Sequence, residues 1–212
     1  MSALVHVVDD DDAFRTAIER RLKKAGYEVA IYPSAQELLD RLPDENGSGC
    51  ILLDVRIPGL SGPELQARLS ELGSILPIIF LTGYSDVQTT VRAIKAGADD
   101  FLAKPVSSED LLAAVERALA HHTTVRSQRG QLDSARAHIA KLTPREREVF
   151  ELIVRGKTNK QVGNVLGATE RTIKAHRHRV MEKLQVQSLA ELVSFAERTG
   201  ILRDMSDTGR AT

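Results

Sequence analysis

The run Cys50-Ile51-Leu52-Leu53-Asp54 constrains this chain more than any other stretch, because it has no polar face and ends on a single carboxylate, with the turn residues Pro58 and Gly59 just beyond. An apolar run of strand length without alternation reads as a strand buried on both faces, as in a parallel sheet covered by helices. Asp54 then lies at the carboxyl end of a strand, the edge of an open α/β sheet where ligands bind. Capping of a turn is the alternative role for an acid there.

The surrounding sequence repeats the pattern. Leu4 to Val8, Glu28 to Tyr32, Cys50 to Asp54, Pro77 to Thr82 and Asp99 to Ala103 read as strands, each followed by a helical pattern. In the first helix Phe14, Ile18, Leu22 and Ala25 recur on one apolar face. Later helices begin at capping boxes, Ser34 with Glu37, Ser61 with Glu64 and Ser85 with Gln88, with Ser107 and Asp110 a near match. Five β-α units predict a flavodoxin-like, doubly wound, five-stranded parallel sheet.

Charge divides the chain. Its 29 basic and 29 acidic residues balance. Residues 1 to 120, however, hold 12 Lys/Arg against 19 Asp/Glu, and residues 121 to 212 hold 17 against 10. An acidic module joined to a basic one suggests a control domain and a polyanion-binding domain. Cys50 is the sole cysteine, so no intrachain disulfide can form. The N-terminal residues lack a charged leader, and no apolar run reaches the roughly 18 residues of a membrane span. The expectation is a soluble cytoplasmic protein with no membrane partner.

In the predicted fold the strand ends converge on one edge. Asp9 and Asp10 follow the first strand, Asp54 ends the third, Thr82 ends the fourth and Lys104 follows the fifth. Three crowded carboxylates repel one another. A hard divalent cation with oxygen ligands, usually Mg²⁺, relieves that conflict. Lys104 and the Thr82 hydroxyl are donors suited to phosphoryl oxygens. The set reads as a Mg²⁺-assisted phosphoryl acceptor with Asp54 as nucleophile. Asp11 and Asp12 are assigned instead to the N-terminus of the first helix, where carboxylates favour the dipole.

Val7-Val8-Asp9-Asp10-Asp11, Leu53-Asp54-Val55-Arg56-Ile57-Pro58-Gly59, Leu81-Thr82-Gly83 and Asp100-Phe101-Leu102-Ala103-Lys104-Pro105 resemble the receiver domain of two-component response regulators. The resemblance implies phosphorylation of Asp54 by a partner histidine kinase. It also implies Mg²⁺ held by Asp10, Asp54 and the Arg56 backbone carbonyl, with Asp9 assisting, and a Lys104 that pairs with the phosphoryl group before a cis proline bond. Thr82 and Phe101 would form the switch pair. Phe101 stands where Tyr is commoner, so no phenolic hydroxyl takes part.

From Ser108 to Leu142 there is no proline, and Leu111, Ala118, Val125, Leu132 and Ile139 fall seven apart, with Ala114, His121, Gln128, Ala135 and Leu142 in the companion positions. Two readings stand: a helical connector, able to pair as a coiled coil, or a helix that stops near His121 before a flexible linker broken by Thr123, Thr124 and Gly130. The division expected is a receiver at 1–121, a helical linker at 122–141, a small all-α helix-turn-helix domain at 142–203 and a disordered tail at 204–212.

In that all-α part, Thr143-Pro144-Arg145-Glu146 is a capping box with proline at the first helical position. Thr158 with Gln161 starts a second helix that stops at Gly167, Thr169 caps a third, and Ser188 with Glu191 starts a fourth. The second and third make a helix-turn-helix. At about 100° per residue, Ile173, Val180 and Leu184 of the third helix face the core. Arg171, Lys174, Ala175 and His178 lie opposite, able to reach a major groove, and Arg177 lies toward the groove edge.

Leu142 to Val149 and Thr169 to His176 resemble LuxR-type effector domains, and nearly the whole chain is similar to FixJ/NarL-type regulators, most like the FixJ branch. The resemblance implies base contacts by Lys174, Ala175 and His178, with Thr158, Asn159 and Lys160 at phosphates. The expected function is phosphorylation-promoted dimerisation and sequence-specific binding to a two-fold double-stranded DNA site, with RNA polymerase as a further partner, rather than enzymatic turnover. A phosphorylation-independent regulator with a structural receiver is one rival. An aspartyl-phosphate phosphotransferase is the other.

Overall fold

The computed structural model describes residues 3–43, 47–83 and 97–201. Two compact units divide the chain, Met1–Ser127 and Gln128–Thr212. Among the described residues no helix is long and apolar enough to cross a membrane.

The first unit contains strands β1 (Leu4–Val8), β2 (Glu28–Tyr32), β3 (Gly49–Asp54), β4 (Ile78–Thr82) and β5 (Asp100–Ala103), with helices α1 (Asp12–Lys24), α2 (Ala35–Asp40) and α3 (Gly62–Glu71) between them. All pairings are parallel, in the order β2-β1-β3-β4-β5. Sequence-adjacent β2 and β3 both flank β1, so the order reverses there, the doubly wound arrangement. The predicted helix start at Ser85 with Gln88 lies outside the described residues.

The unbroken apolar run of β3 has a simple cause. Cys50 and Leu52 enter one core with Val5, Val7, Ile79, Leu81, Ile18 and Leu22. Ile51 and Leu53 point the other way, into a second core with Phe80, Leu38, Leu65 and Leu69. Each face of β3 is covered, so neither can be polar. Burial pushes the Cys50 thiol up to about 12, which leaves it an inert core residue. The first helix ends one residue sooner than its apolar pattern suggested: Ala25 is its exposed C-cap, and Phe14, Ile18 and Leu22 make the contacts with the core.

Helix α4 runs Ser108–Ala140. Thr123 and Thr124, read as breakers, lie within it, their hydroxyls donating to the carbonyls of Leu119 (2.9 Å) and Ala120 (3.1 Å) one turn back. The heptad positions are not one seam. Leu111, Ala114 and Ala118 are spent in the first unit's core. Ile139 and Leu142 belong to the core of the second unit, against which Ala135 packs. Only the middle is uncovered, with Gln128 and Leu132 exposed and Val125 half-buried.

The second unit adds α5 (Pro144–Val154), α6 (Asn159–Leu166), α7 (Glu170–Lys183) and α8 (Leu189–Arg198). Thr143 with Glu146 and Thr158 with Gln161 form reciprocal capping boxes. Gly167 ends α6 in the left-handed conformation, φ 63°, which glycine adopts without penalty. Val149, Phe150, Val162, Ile173, Val180, Leu184, Leu192 and Phe195 form the core.

Candidate functional site

Strand register assembles the first site. Val8 lies opposite Leu53, Asp54 opposite Leu81, and Thr82 opposite Ala103. The residues at the carboxyl tips, Asp9, Asp54, Thr82 and Lys104, therefore share one edge of the sheet. Carboxylate oxygens of Asp9, Asp10 and Asp54 lie within 4.8 Å of one another. Lys104 Nζ donates to Asp9 Oδ2 at 2.6 Å and to Asp54 Oδ2 at 2.5 Å. The Lys104–Pro105 peptide is cis.

The three acids differ in access. Asp9 is fully buried, Asp54 keeps 13% of its side chain exposed, and Asp10 is open to solvent. Burial pushes the Asp9 carboxyl above its ordinary value, against the pull of Lys104. Burial also draws Lys104 down, but its hydrogen bonds to Asp54 and Asp9 outweigh that and leave it above the usual lysine value. Asp54 Oδ1 accepts the Arg56 N–H at 3.0 Å, which brings the Arg56 main chain beside it. An open cleft of about 520 Å³ borders Asp10, Arg56 and Ser61.

The predicted switch residues are less closely engaged. The Thr82 hydroxyl donates to the Gly83 carbonyl at 3.1 Å, so its donor is used within its own loop rather than at the carboxylates. Phe101 is half-buried and stacks on Phe80 with centroids 5.3 Å apart. Asp11 N-caps α1 by accepting from Phe14 N–H at 3.0 Å, and Asp12 sits in its first turn.

Two neighbours of the site were missed by reading motifs. The Phe14 ring lies 4.2 Å beneath the Lys104 ammonium. Arg15 is buried and donates to the Asp9 carbonyl at 2.5 Å. A signal for Arg15 was available: at spacings of three and four it shares the buried stripe of Ile18 and Leu22, where a charge needs a reason.

In the second unit Arg171, Lys174, Ala175 and His178 are exposed on α7. Thr158 and Lys160 are exposed at the start of α6, with the Thr158 hydroxyl used in the cap. Arg177, expected at a groove edge, is half-buried and reaches Asn159 Oδ1 at 3.5 Å, so each is turned toward the other. The Lys183 ammonium, 2.6 Å from Glu146, holds that buried carboxyl down to about 2.

Residues 5–116 match the family model for the response regulator receiver domain, and residues 140–196 match that of bacterial regulatory proteins of the luxR family. The chain belongs to the response regulators with a LuxR-type DNA-binding domain. This response regulator is 40% identical to nodulation protein W of Bradyrhizobium diazoefficiens over 94% of its own length and 87% of that protein. It is equally similar, at 40%, to the transcriptional regulatory protein FixJ of the same organism, over 94% and 97% of the two chains. The solved structure of response regulator StyR superposes with a TM-score of 0.82 at 41% identity, covering 93% of this chain and all of that one. The chain is thus a transcriptional regulator with a receiver and a DNA-binding domain, not an enzyme.

Proposed function

We propose that this response regulator accepts a phosphoryl group on Asp54 from a histidine kinase, and that the acyl phosphate favours a homodimer which binds a two-fold DNA site. One observation carries the reading: a single ammonium, Lys104 Nζ, is hydrogen bonded to both Asp9 and Asp54 while Asp10 stands beside them. Asp9 is sealed from any donor, whereas Asp54 lies at the edge with part of its carboxylate accessible. Of the two carboxylates bonded to Lys104, Asp54 is the accessible one and the nucleophile we assign: its oxygen forms the new P–O bond as the P–N bond to the kinase histidine breaks. The Lys104 ammonium then has phosphoryl oxygens to pair with in place of the carboxylate.

The donor set fits a hard divalent cation. It is all oxygen, and one lysine cannot neutralise three carboxylates. Asp10, Asp54 and the Arg56 carbonyl, with Asp9 assisting, would hold Mg²⁺, whose charge offsets that of the transferring phosphoryl group. The Thr82 hydroxyl turns from Gly83 toward the phosphoryl group, and Phe101 repacks against Phe80. Behind Phe101 lies an open groove bordered by Asp100, Asp110, Ala113 and Arg117, the face we assign to pairing. DNA contacts fall to Arg171, Lys174, Ala175 and His178 in the groove, and to Thr158, Asn159, Lys160 and Arg177 at phosphates. RNA polymerase and a cytoplasmic location accompany this role.

The test is to treat the full chain with acetyl phosphate, map the modification by mass spectrometry and select bound duplexes with and without treatment. Modification at Asp54 with two-fold sequences enriched only afterwards supports the proposal. Label at another residue, or unchanged selection and solution mass with Asp54 modified, refutes it.

A further inference from the structure

Arg15 is the one buried arginine among the described residues, 7% exposed, on the face of α1 that also carries Ile18 and Leu22. Its Nη1 donates to the Asp9 main-chain oxygen at 2.5 Å, and its Nη2 pairs with Asp12 at 2.8 Å. Its Nε is buried with no hydrogen-bond partner. The Asp12 side chain is 87% exposed, so that pair is solvated and offsets little of the desolvation of the guanidinium. A methionine would fill the same apolar stripe without that penalty, so stability alone does not call for an arginine here.

The Asp9 bond suggests what does. The Asp9 N–H is held by the Tyr32 carbonyl of β2 at 3.2 Å, its carboxylate accepts the Asp11 N–H at 3.0 Å, and its carbonyl is held by Arg15. That carbonyl belongs to the Asp9–Asp10 peptide. Holding it sets the orientation of the plane from which the Asp10 main chain, and hence the exposed Asp10 carboxylate, continues. We infer that Arg15 is a positioning residue for the divalent-cation site, fixing the Asp9–Asp10 peptide so that both carboxylates converge with Asp54. Phosphate chemistry is not required of Arg15, which acts through the backbone and touches neither the cation nor the phosphoryl group.

The experiment titrates Mg²⁺ into the metal-stripped, unphosphorylated full chain by calorimetry, with thermal melts in EDTA alongside. Arg15→Met and Arg15→Gln are expected to weaken Mg²⁺ binding by about 10- to 100-fold, the usual range for groups that orient a metal ligand. Their melting temperatures in EDTA should stay near that of the parent. Arg15→Lys keeps the charge but gives up the planar fork, and a several-fold loss is expected. Should the first two variants fail to fold, Arg15→Lys decides alone. Affinity within twofold of the parent in the folded variants overturns the inference, as does a loss of affinity that tracks a matching loss of melting temperature. The inference rests on Asp9, Asp10 and Asp54 as the cation's site, and a control separates the two. If the parent binds no Mg²⁺, or if Asp10→Asn binds as well as the parent, that site assignment fails; if Asp10→Asn fails to bind but Arg15 variants bind normally, only the role of Arg15 fails.

Discussion

Gly163 lies inside α6, and adding one carbon to it should damage the helix-turn-helix. A Cβ at that position would stand 2.6 Å from the Ala168 carbonyl oxygen and 3.8 Å from the Glu170 nitrogen. The obstacle is backbone, at a point where Ala168 N–H already bonds the Gly163 carbonyl at 2.9 Å, so no side-chain rotation relieves it. Two effects compete. Alanine gains about 1 kcal/mol over glycine in a helix interior. Overpacking against a rigid neighbour costs about 1–3 kcal/mol, and the separation here favours the upper part of that range. The net loss is about 1–2 kcal/mol, which for a unit of this size lowers the melting temperature by roughly 5–15 °C. The turn at Ala168 and the start of α7 must shift to make room, so DNA affinity should fall as well. Gly130 is the control: nothing lies within 4 Å of its Cβ position on α4, and Gly130→Ala should stabilise by up to about 1 kcal/mol. Calorimetric melts of both variants check the argument. A Gly163→Ala protein as stable as its parent would refute it.

Three further outcomes follow from the geometry. Lys183 first, and the Thr143 hydrogen bonds after it, lower the Glu146 pKa to about 2 from an ordinary 4.5, so these contacts contribute fully above pH 4.5 and are lost as pH falls toward 2. Discounted for Lys183, which is a third exposed, and for the share due to Thr143, the Lys183 pairing is worth roughly 1–2 kcal/mol, so the stability gap between the parent and Lys183→Met should shrink from that value at pH 7 toward zero near pH 2. A gap independent of pH in denaturant titrations would contradict this. Phe14→Ala removes the ring under Lys104 and should slow phosphorylation by acetyl phosphate several-fold, since such contacts are worth about 1 kcal/mol; an unaltered rate on phosphate-affinity gels counts against it. At Gly62 a Cβ would meet the Asp54 carbonyl oxygen at 2.4 Å and Phe80 at 2.9 Å, so Gly62→Ala should cost the receiver about 2–3 kcal/mol in urea unfolding and impair Asp54 together. An unmoved urea midpoint would exclude that clash.

The sheet and its acidic edge were legible because β1, β3, β4 and β5 each present a mostly apolar run that meets a polar residue at its carboxyl end, and parallel register turns that repetition into adjacency. Asp9, Asp54 and Lys104 came together for this reason alone. Thr82 shows the limit: its place at a strand end was readable, but the choice of its hydroxyl between Gly83 and the carboxylates is a rotamer, which periodicity does not encode. Arg177 makes the same point, since its position on α7 was readable while its turn toward Asn159 depends on a neighbouring helix. The heptad spacing in α4 was real, yet two separate cores use its ends; a seven-residue repeat reports one buried stripe and does not say what buries it. Arg15 was hidden because attention goes to acids in an acidic motif, and its partner is a backbone carbonyl that leaves no mark on composition.

The coupling of Asp54 to DNA is tested most directly by measuring the affinity of one selected duplex for the full chain before and after beryllofluoride treatment with Mg²⁺, beside Asp54→Ala treated in the same way. Tighter binding and a doubled solution mass on treatment, both absent in Asp54→Ala, are the predicted result. Equal affinities with beryllofluoride bound at Asp54 would contradict the account.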